Sequence, residues 1–150
     1  MEIRQITEEK KRLLPLLLLG DEQESMIDRY LARGTLFALY MPETPEARAV
    51  CVVTDEGGGV LELKNLAVDP RFQRQGYGRR MIGFLCERYA GRFHTLLAGT
   101  GETPGTLAFY RRCGFSESHR VPNFFTEHYD HPIVEEGVLL RDMVYLRRDL

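Results

Sequence analysis

One short segment narrows the folds open to this chain more than any other. An aliphatic and β-branched stretch, Val60 to Val68, runs into Asp69-Pro70-Arg71-Phe72-Gln73-Arg74-Gln75-Gly76-Tyr77-Gly78-Arg79, and a helical period starts at Gly76. A strand that ends in a glycine-bearing turn and hands over to a helix leaves the first helical amides unpaired, at the positive end of the helix dipole. The glycines let an anion approach that backbone, and the arginines add charge-assisted contacts. The segment therefore predicts a phosphate or pyrophosphate site. It is not the dinucleotide fingerprint, because Met81 stands where the third glycine belongs. It is not a Walker loop either, because no Gly-Lys-Ser/Thr follows. The pattern that fits is Gln/Arg-x-x-Gly-x-Gly/Ala, over Gln73 to Gly78.

The elements around this turn read as one domain over residues 1–150. Met1–Ile6 alternates as a strand. Glu8–Leu19 reads as a helix ended by Gly20, and a second helix carries Met26, Ile27, Tyr30 and Leu31, capped by Asp21 or Ser25 and closed by Gly34. Thr35–Tyr40, Arg48–Thr54 and Val60–Val68 form an antiparallel meander, its second turn made by Gly57-Gly58-Gly59. Strict alternation in Val60–Val68 sets Glu62, Lys64, Leu66 and Val68 on one face. A helix over Gly76–Ala90 buries Met81, Ile82, Leu85, Cys86 and Tyr89. A strand His94–Ala98, a helix Thr106–Arg112 and strands Phe115–Arg120 and Val138–Leu146 complete the chain, with Val121–Gly137 left unassigned. The fold class expected is α/β with a mixed sheet rather than a doubly wound parallel one.

Composition removes several function classes. A net charge of -2 over 150 residues, from 20 basic and 22 acidic side chains, carries no basic stripe for nucleic acid. The longest apolar run, Leu13–Leu19, is broken by Pro15 and falls short of the roughly 20 residues a membrane span needs. It has no cleavage site behind it, so a signal peptide is not expected. Three separated cysteines (Cys51, Cys86 and Cys113) and four histidines without metal-ligand spacing predict neither disulfides nor a metal, and a cytoplasmic protein.

Two motifs together resemble the GCN5-related N-acetyltransferase (GNAT) superfamily. One is Asn65-Leu66-Ala67-Val68-Asp69-Pro70 with the Gln73–Gly78 turn. The other is Leu107-Ala108-Phe109-Tyr110-Arg111-Arg112-Cys113-Gly114-Phe115, which is similar to the family's Tyr-x-x-x-Gly-Phe signature. The stretch from Phe124-Phe125 through Arg141-Asp142-Met143 is similar to a bacterial, YvbK-like branch.

The resemblance implies a central sheet with helices on both faces and two strands, ending at Val68 and Ala98, splayed around acetyl-CoA as co-substrate. It implies that the backbone of Leu66, Ala67 and Val68 pairs with the pantetheine arm. It implies too that the amides of Gln73, Arg74, Gln75, Gly76, Tyr77 and Gly78, with Arg79 beside them, hold the pyrophosphate, and that a strand amide polarises the thioester carbonyl. Tyr110 matches the family's acid for the leaving thiolate. Glu62 falls where some members place a base, although the residues alone also allow a solvated carboxylate paired with Lys64. Thr103 replaces the asparagine that many members use against the coenzyme. A homodimer is expected from the family alone.

For the acceptor, Phe124, Phe125, Tyr129 and Glu135, with further carboxylates in Val121–Glu136, suggest the primary amine of a small cationic molecule or a peptide. The competing reading is a coenzyme-binding regulatory module with weak turnover.

Overall fold

The computed structural model describes residues 1–150. Its frame is one seven-stranded mixed sheet in the order β1-β2-β3-β4-β5-β9-β6. The first four strands are β1 (Glu2–Ile6), β2 (Thr35–Tyr40), β3 (Ala49–Asp55) and β4 (Val60–Val68), each antiparallel to the last. The β3–β4 turn is tight because Gly57, Gly58 and Gly59 all take positive φ, which costs a side-chain-free residue little. β5 (Thr95–Gly101) lies parallel to β4, reached through the helical crossover that such a pair requires. β9 (Met143–Asp149) pairs antiparallel with β5 on one side and with β6 (Ser116–Val121) on the other. A small hairpin, β7 (Val134–Glu135) and β8 (Val138–Leu139), stands apart.

Two helical layers cover the sheet. α3 (Tyr77–Tyr89) and α4 (Pro104–Arg112) pack on one face through Met81, Ile82, Leu85, Leu107 and Tyr110, against Leu61, Leu63, Leu96 and Leu146. α1 (Leu14–Gly20) and α2 (Glu24–Ile27) cover the other face with Leu17 and Ile27, joined by Tyr30 and Leu31 from the turns into which the expected second helix passes after Ile27, against Leu36, Val50, Val52 and Ala67. No helix is long and apolar enough to cross a membrane.

Several local expectations change. Glu9 takes a left-handed φ of 49°, and a 3-10 turn over Lys10–Leu13 precedes α1, so the expected helix at Glu8 starts later, at Leu14. Gly20 is the last residue of α1 rather than a cap. A Cβ there would lie 2.2 Å from Asn65 Oδ1, so it is a close-approach glycine. Gln23, not Asp21 or Ser25, precedes α2. The final strand sits later than Val138–Leu146 and is preceded by the small hairpin.

A register shift between Val52 and Val53 makes Lys64 the extra residue of a β-bulge in β4. A bulge reverses the alternation beyond it. Leu61 and Leu63 face α3, as do Leu66 and Val68 beyond the bulge, whereas Asn65 and Ala67 face α1 and α2. Glu62 therefore does not share a face with Leu66 and Val68.

Candidate active site

The site is built on the departure of β5 from β4. Their pairing spans only Val60–Leu63 against Thr95–Ala98. Beyond Leu63, β4 keeps β3 on one side and has no strand on the other, so the edge running to Val68 is open.

Past Val68 the chain is shaped by local hydrogen bonds. Asp69 Oδ1 accepts from Arg71 N at 2.9 Å and caps a 3-10 turn over Pro70–Phe72. Gln73 Nε2 donates to the Val68 carbonyl at 3.1 Å, tying the loop back to the strand. Arg74 has φ 62° and Gly76 φ 87°, which swing the chain into α3. Arg48 holds Tyr77 by donating to its hydroxyl at 2.8 Å, with the guanidinium 4.0 Å over the Phe72 ring. The first amide of α3 to find a backbone acceptor is that of Arg80, on the Gly76 carbonyl at 3.0 Å. The preceding amides remain available to an anion.

Four adjoining spaces surround the open edge. On the α3–α4 side, a groove of about 700 Å³ is lined by Leu66, Val68, Gln73, Arg74, Gly76–Arg79, Phe109, Tyr110 and Glu136, among others. Beside it, a cavity of about 480 Å³ shares Arg79 and Arg112 with the groove and adds Arg148. Arg74, Arg79, Arg112 and Arg148 have no carboxylate partner, so this end is strongly positive.

The gap between the splayed strands encloses about 150 Å³. It shares Leu66, Thr106 and Tyr110 with the groove. On the α1–α2 side, a cavity of about 320 Å³ shares Leu63, Lys64 and Gly99 with the gap and is further walled by Glu62, Phe124, Tyr129 and Tyr145. Gly99 is required there, because a Cβ would stand 2.8 Å from the Tyr145 ring and 3.0 Å from Met143 Sδ.

Tyr110 stands where groove and gap meet. Phe109 and Phe115 pack edge-on at 5.2 Å from its ring on either side, and it is 8% exposed. Burial pushes its phenol well above the usual tyrosine range, so it stays protonated. Glu62, 7% exposed, pairs with Lys64 Nζ at 3.0 Å. Burial raises its pKa above the ordinary carboxylate value, opposed by Lys64. Glu135 lines the gap, and its pKa is raised first by burial and then by Glu22, Glu136 and Asp21.

A polar relay backs the gap. Tyr129 and Tyr30 both donate to Asp21, at 2.6 and 3.0 Å. Because Tyr30 spends its proton on Asp21, it accepts from Asn65 Nδ2 at 3.1 Å, and the same nitrogen donates to the Leu17 carbonyl at 2.9 Å. That fixes the amide orientation and leaves Asn65 Oδ1 buried without a partner. The sequence reading assigned Asn65 no role; its burial inside a strand motif hid the relay.

Not every expected residue reaches the site. Gln75 is exposed and lines no part of the groove. Thr103 is fully buried, its hydroxyl beside Glu136 but meeting no partner at hydrogen-bond geometry. Phe125 packs with Ile133 and Leu140 behind Phe124 and Tyr129 and does not itself line the cavity on the α1–α2 side.

Of the carboxylates expected to attract a cation, Glu135 lines the gap, and Glu136 and Asp130 are engaged elsewhere. Glu136 accepts from the Gly105 amide at 3.0 Å, and Asp130 pairs with His131 at 2.6 Å. No three of His, Cys, Asp and Glu gather as a metal site.

Comparison with known proteins agrees with this geometry. A family profile described as an acetyltransferase (GNAT) domain matches residues 34–117. The N-acetyltransferase YvbK of Bacillus subtilis, described as uncharacterized, is 33% identical over 146 residues, covering 95% of this chain and 92% of its own. A GNAT family acetyltransferase from Elizabethkingia anophelis, solved with acetyl-CoA bound, superposes with a TM-score of 0.92 at 30% identity, covering 99% of this chain and 97% of that one. A Bacillus subtilis acetyltransferase in complex with CoA gives 0.89 at 32% identity, covering 99% and 98%.

Proposed function

Because this chain belongs to the GNAT family and is thereby an acetyl-CoA-dependent N-acetyltransferase, we propose that it acetylates a primary amine by direct attack inside the split sheet. The observation that carries the reading is the continuous path from the α3 N-terminus, past Tyr110, through the gap to Glu62. Coenzyme and amine enter from opposite faces and meet at the gap.

Acetyl-CoA supplies an acetyl thioester, whose carbonyl carbon accepts the amine and whose C–S bond breaks. The chain's own groups do the rest. The open edge of β4 at Leu66–Val68 offers backbone pairing to an extended arm. The amides around Gly76–Arg79 and the unpaired arginines receive phosphate charge. Glu62 takes a proton from the arriving ammonium, for which a pKa raised by burial suits it. Tyr110 gives its proton to the departing sulfur, and the second proton lost by the acylated nitrogen restores the phenol. The Phe109 and Phe115 rings hold the Tyr110 ring in place.

The test has two parts. Acetyl-CoA at 100 times its Kd stabilises a protein that binds it only when folded by about 2.7 kcal/mol, which a thermal melt reads directly. Tyr110→Phe then lowers turnover in a thiol-release assay about 10²-fold or more while keeping that thermal shift. An unchanged rate removes the acid role. No shift at any coenzyme concentration removes the cleft. A full shift with no turnover on any amine leaves a coenzyme-binding module.

A further inference from the structure

The acceptor cavity holds one cation without an ion-pair partner, and that side chain speaks to what the acceptor carries. Its two carboxylates are committed: Asp21 receives two tyrosine hydroxyls, and Glu62 holds Lys64. Of its three cations, Lys64 is thereby paired, and Arg33 meets Glu56 at 2.9 Å.

Arg29 is left. Its guanidinium lies 3.5 Å from Met26 Sδ and meets no carboxylate. The acids nearest it in sequence are engaged by Lys11, which pairs with Asp28 at 2.6 Å and with Glu24 at 2.5 Å. The cavity's remaining wall is apolar and aromatic, with Met26, Phe124, Met143 and Tyr145. An unpaired guanidinium beside aromatic walls receives a planar carboxylate through two parallel hydrogen bonds.

Resting on the acetyltransferase reading above, we infer that the acceptor is an amine that also bears a carboxylate, of amino-acid-like length with an apolar body, and that Arg29 receives that carboxylate while the amine points to the gap. This replaces the purely cationic acceptor expected from Val121–Glu136. It also gives the cavity an order: the anionic end at the α2 rim, the apolar body against Phe124 and Tyr145, the nitrogen toward Glu62 and Tyr110. Arg29 is exposed, so its replacement does not threaten the core.

The experiment compares matched acceptors at saturating acetyl-CoA: ω-amino acids with an apolar chain or ring between amine and carboxylate, their carboxamides, and the amines lacking the carboxylate. The expected result is a kcat/KM at least about tenfold higher for the carboxylates. Arg29→Ala should collapse the carboxylate-to-amide ratio toward one, and Arg29→Glu should invert it. Equal or better use of the amides, a preference for polyamines, or a ratio indifferent to Arg29 overturns the inference. Thermal stabilisation by acetyl-CoA in the same samples separates the two levels. If it is present while amides win, only the acceptor assignment fails. If it is absent, the cleft itself fails.

Discussion

Gly20→Ala sets two known effects against each other, and the structure says which is larger. Gly20 is helical, and alanine is favoured over glycine in a helix interior by about 1 kcal/mol. A surface helix would gain from the change. Here the new methyl would lie 2.2 Å from Asn65 Oδ1, 2.9 Å from its Cγ and 3.2 Å from the Leu66 carbonyl. Asn65 cannot swing away freely, because its amide nitrogen holds Leu17 and Tyr30. Forcing a methyl into a packed site costs about 1–3 kcal/mol. Breaking the two amide hydrogen bonds adds about 1–3 kcal/mol. The net expectation is a loss of about 1–5 kcal/mol, or a fall in Tm of about 2–20 °C for a domain of this size. Urea and thermal unfolding measure it. A variant as stable as the parent would refute the claim that Asn65 is pinned against Gly20, and with it the fixed orientation of the relay.

Three further outcomes follow from the site. Acetyl transfer should rise with pH along a limb displaced above the ordinary carboxylate value, since Glu62 must be ionised to act and burial holds it protonated longer; Glu62→Gln should erase that limb and lower the rate about 10²–10⁴-fold, and a surviving limb would assign the base elsewhere. Tyr110 is kept protonated by burial, so no falling limb belonging to it should appear below about pH 10. His131 bridges Asp130 and Glu22, which raise its pKa, so its contribution to stability is full below the ordinary imidazole value and fades as pH rises through the raised one. His131→Gln should therefore lower the urea midpoint near pH ~5.5 and leave it unchanged near pH ~9; identical effects at both would contradict the ion-pair account.

Much of this geometry can be read from residues alone, for physical reasons. Val60–Val68 is bounded by three glycines on one side and Asp69-Pro70 on the other, signals that act within a few residues. α3 declares itself through a full apolar stripe and through Gly76 and Gly91 at its ends. The bulge at Lys64 is invisible because nothing in β4's composition distinguishes an inserted residue from a paired one; only the opposing register in β3 does. The last strand was placed too early because Arg147, Arg148 and Asp149 look like a polar tail. Pairing of β9 with both β5 and β6 draws them into the sheet regardless. The acceptor cavity was the least legible part. Asp21 and Arg29 flank α2, whereas Glu62 lies on β4 and Tyr145 on β9, and their meeting depends on tertiary proximity that local patterns do not encode.

The four-residue seam between β4 and β5 has a mechanical consequence. It divides the molecule into a four-strand leaf and a three-strand leaf, stitched only at one corner. On the proposed reading, a reactant lodged in the open part of the V would supply backbone partners that the second leaf withholds, and the enzyme would borrow rigidity from the compound it consumes. Each turnover then ends with that brace loosened, and amide hydrogens along the Leu66–Val68 edge should exchange with solvent fastest when product has gone.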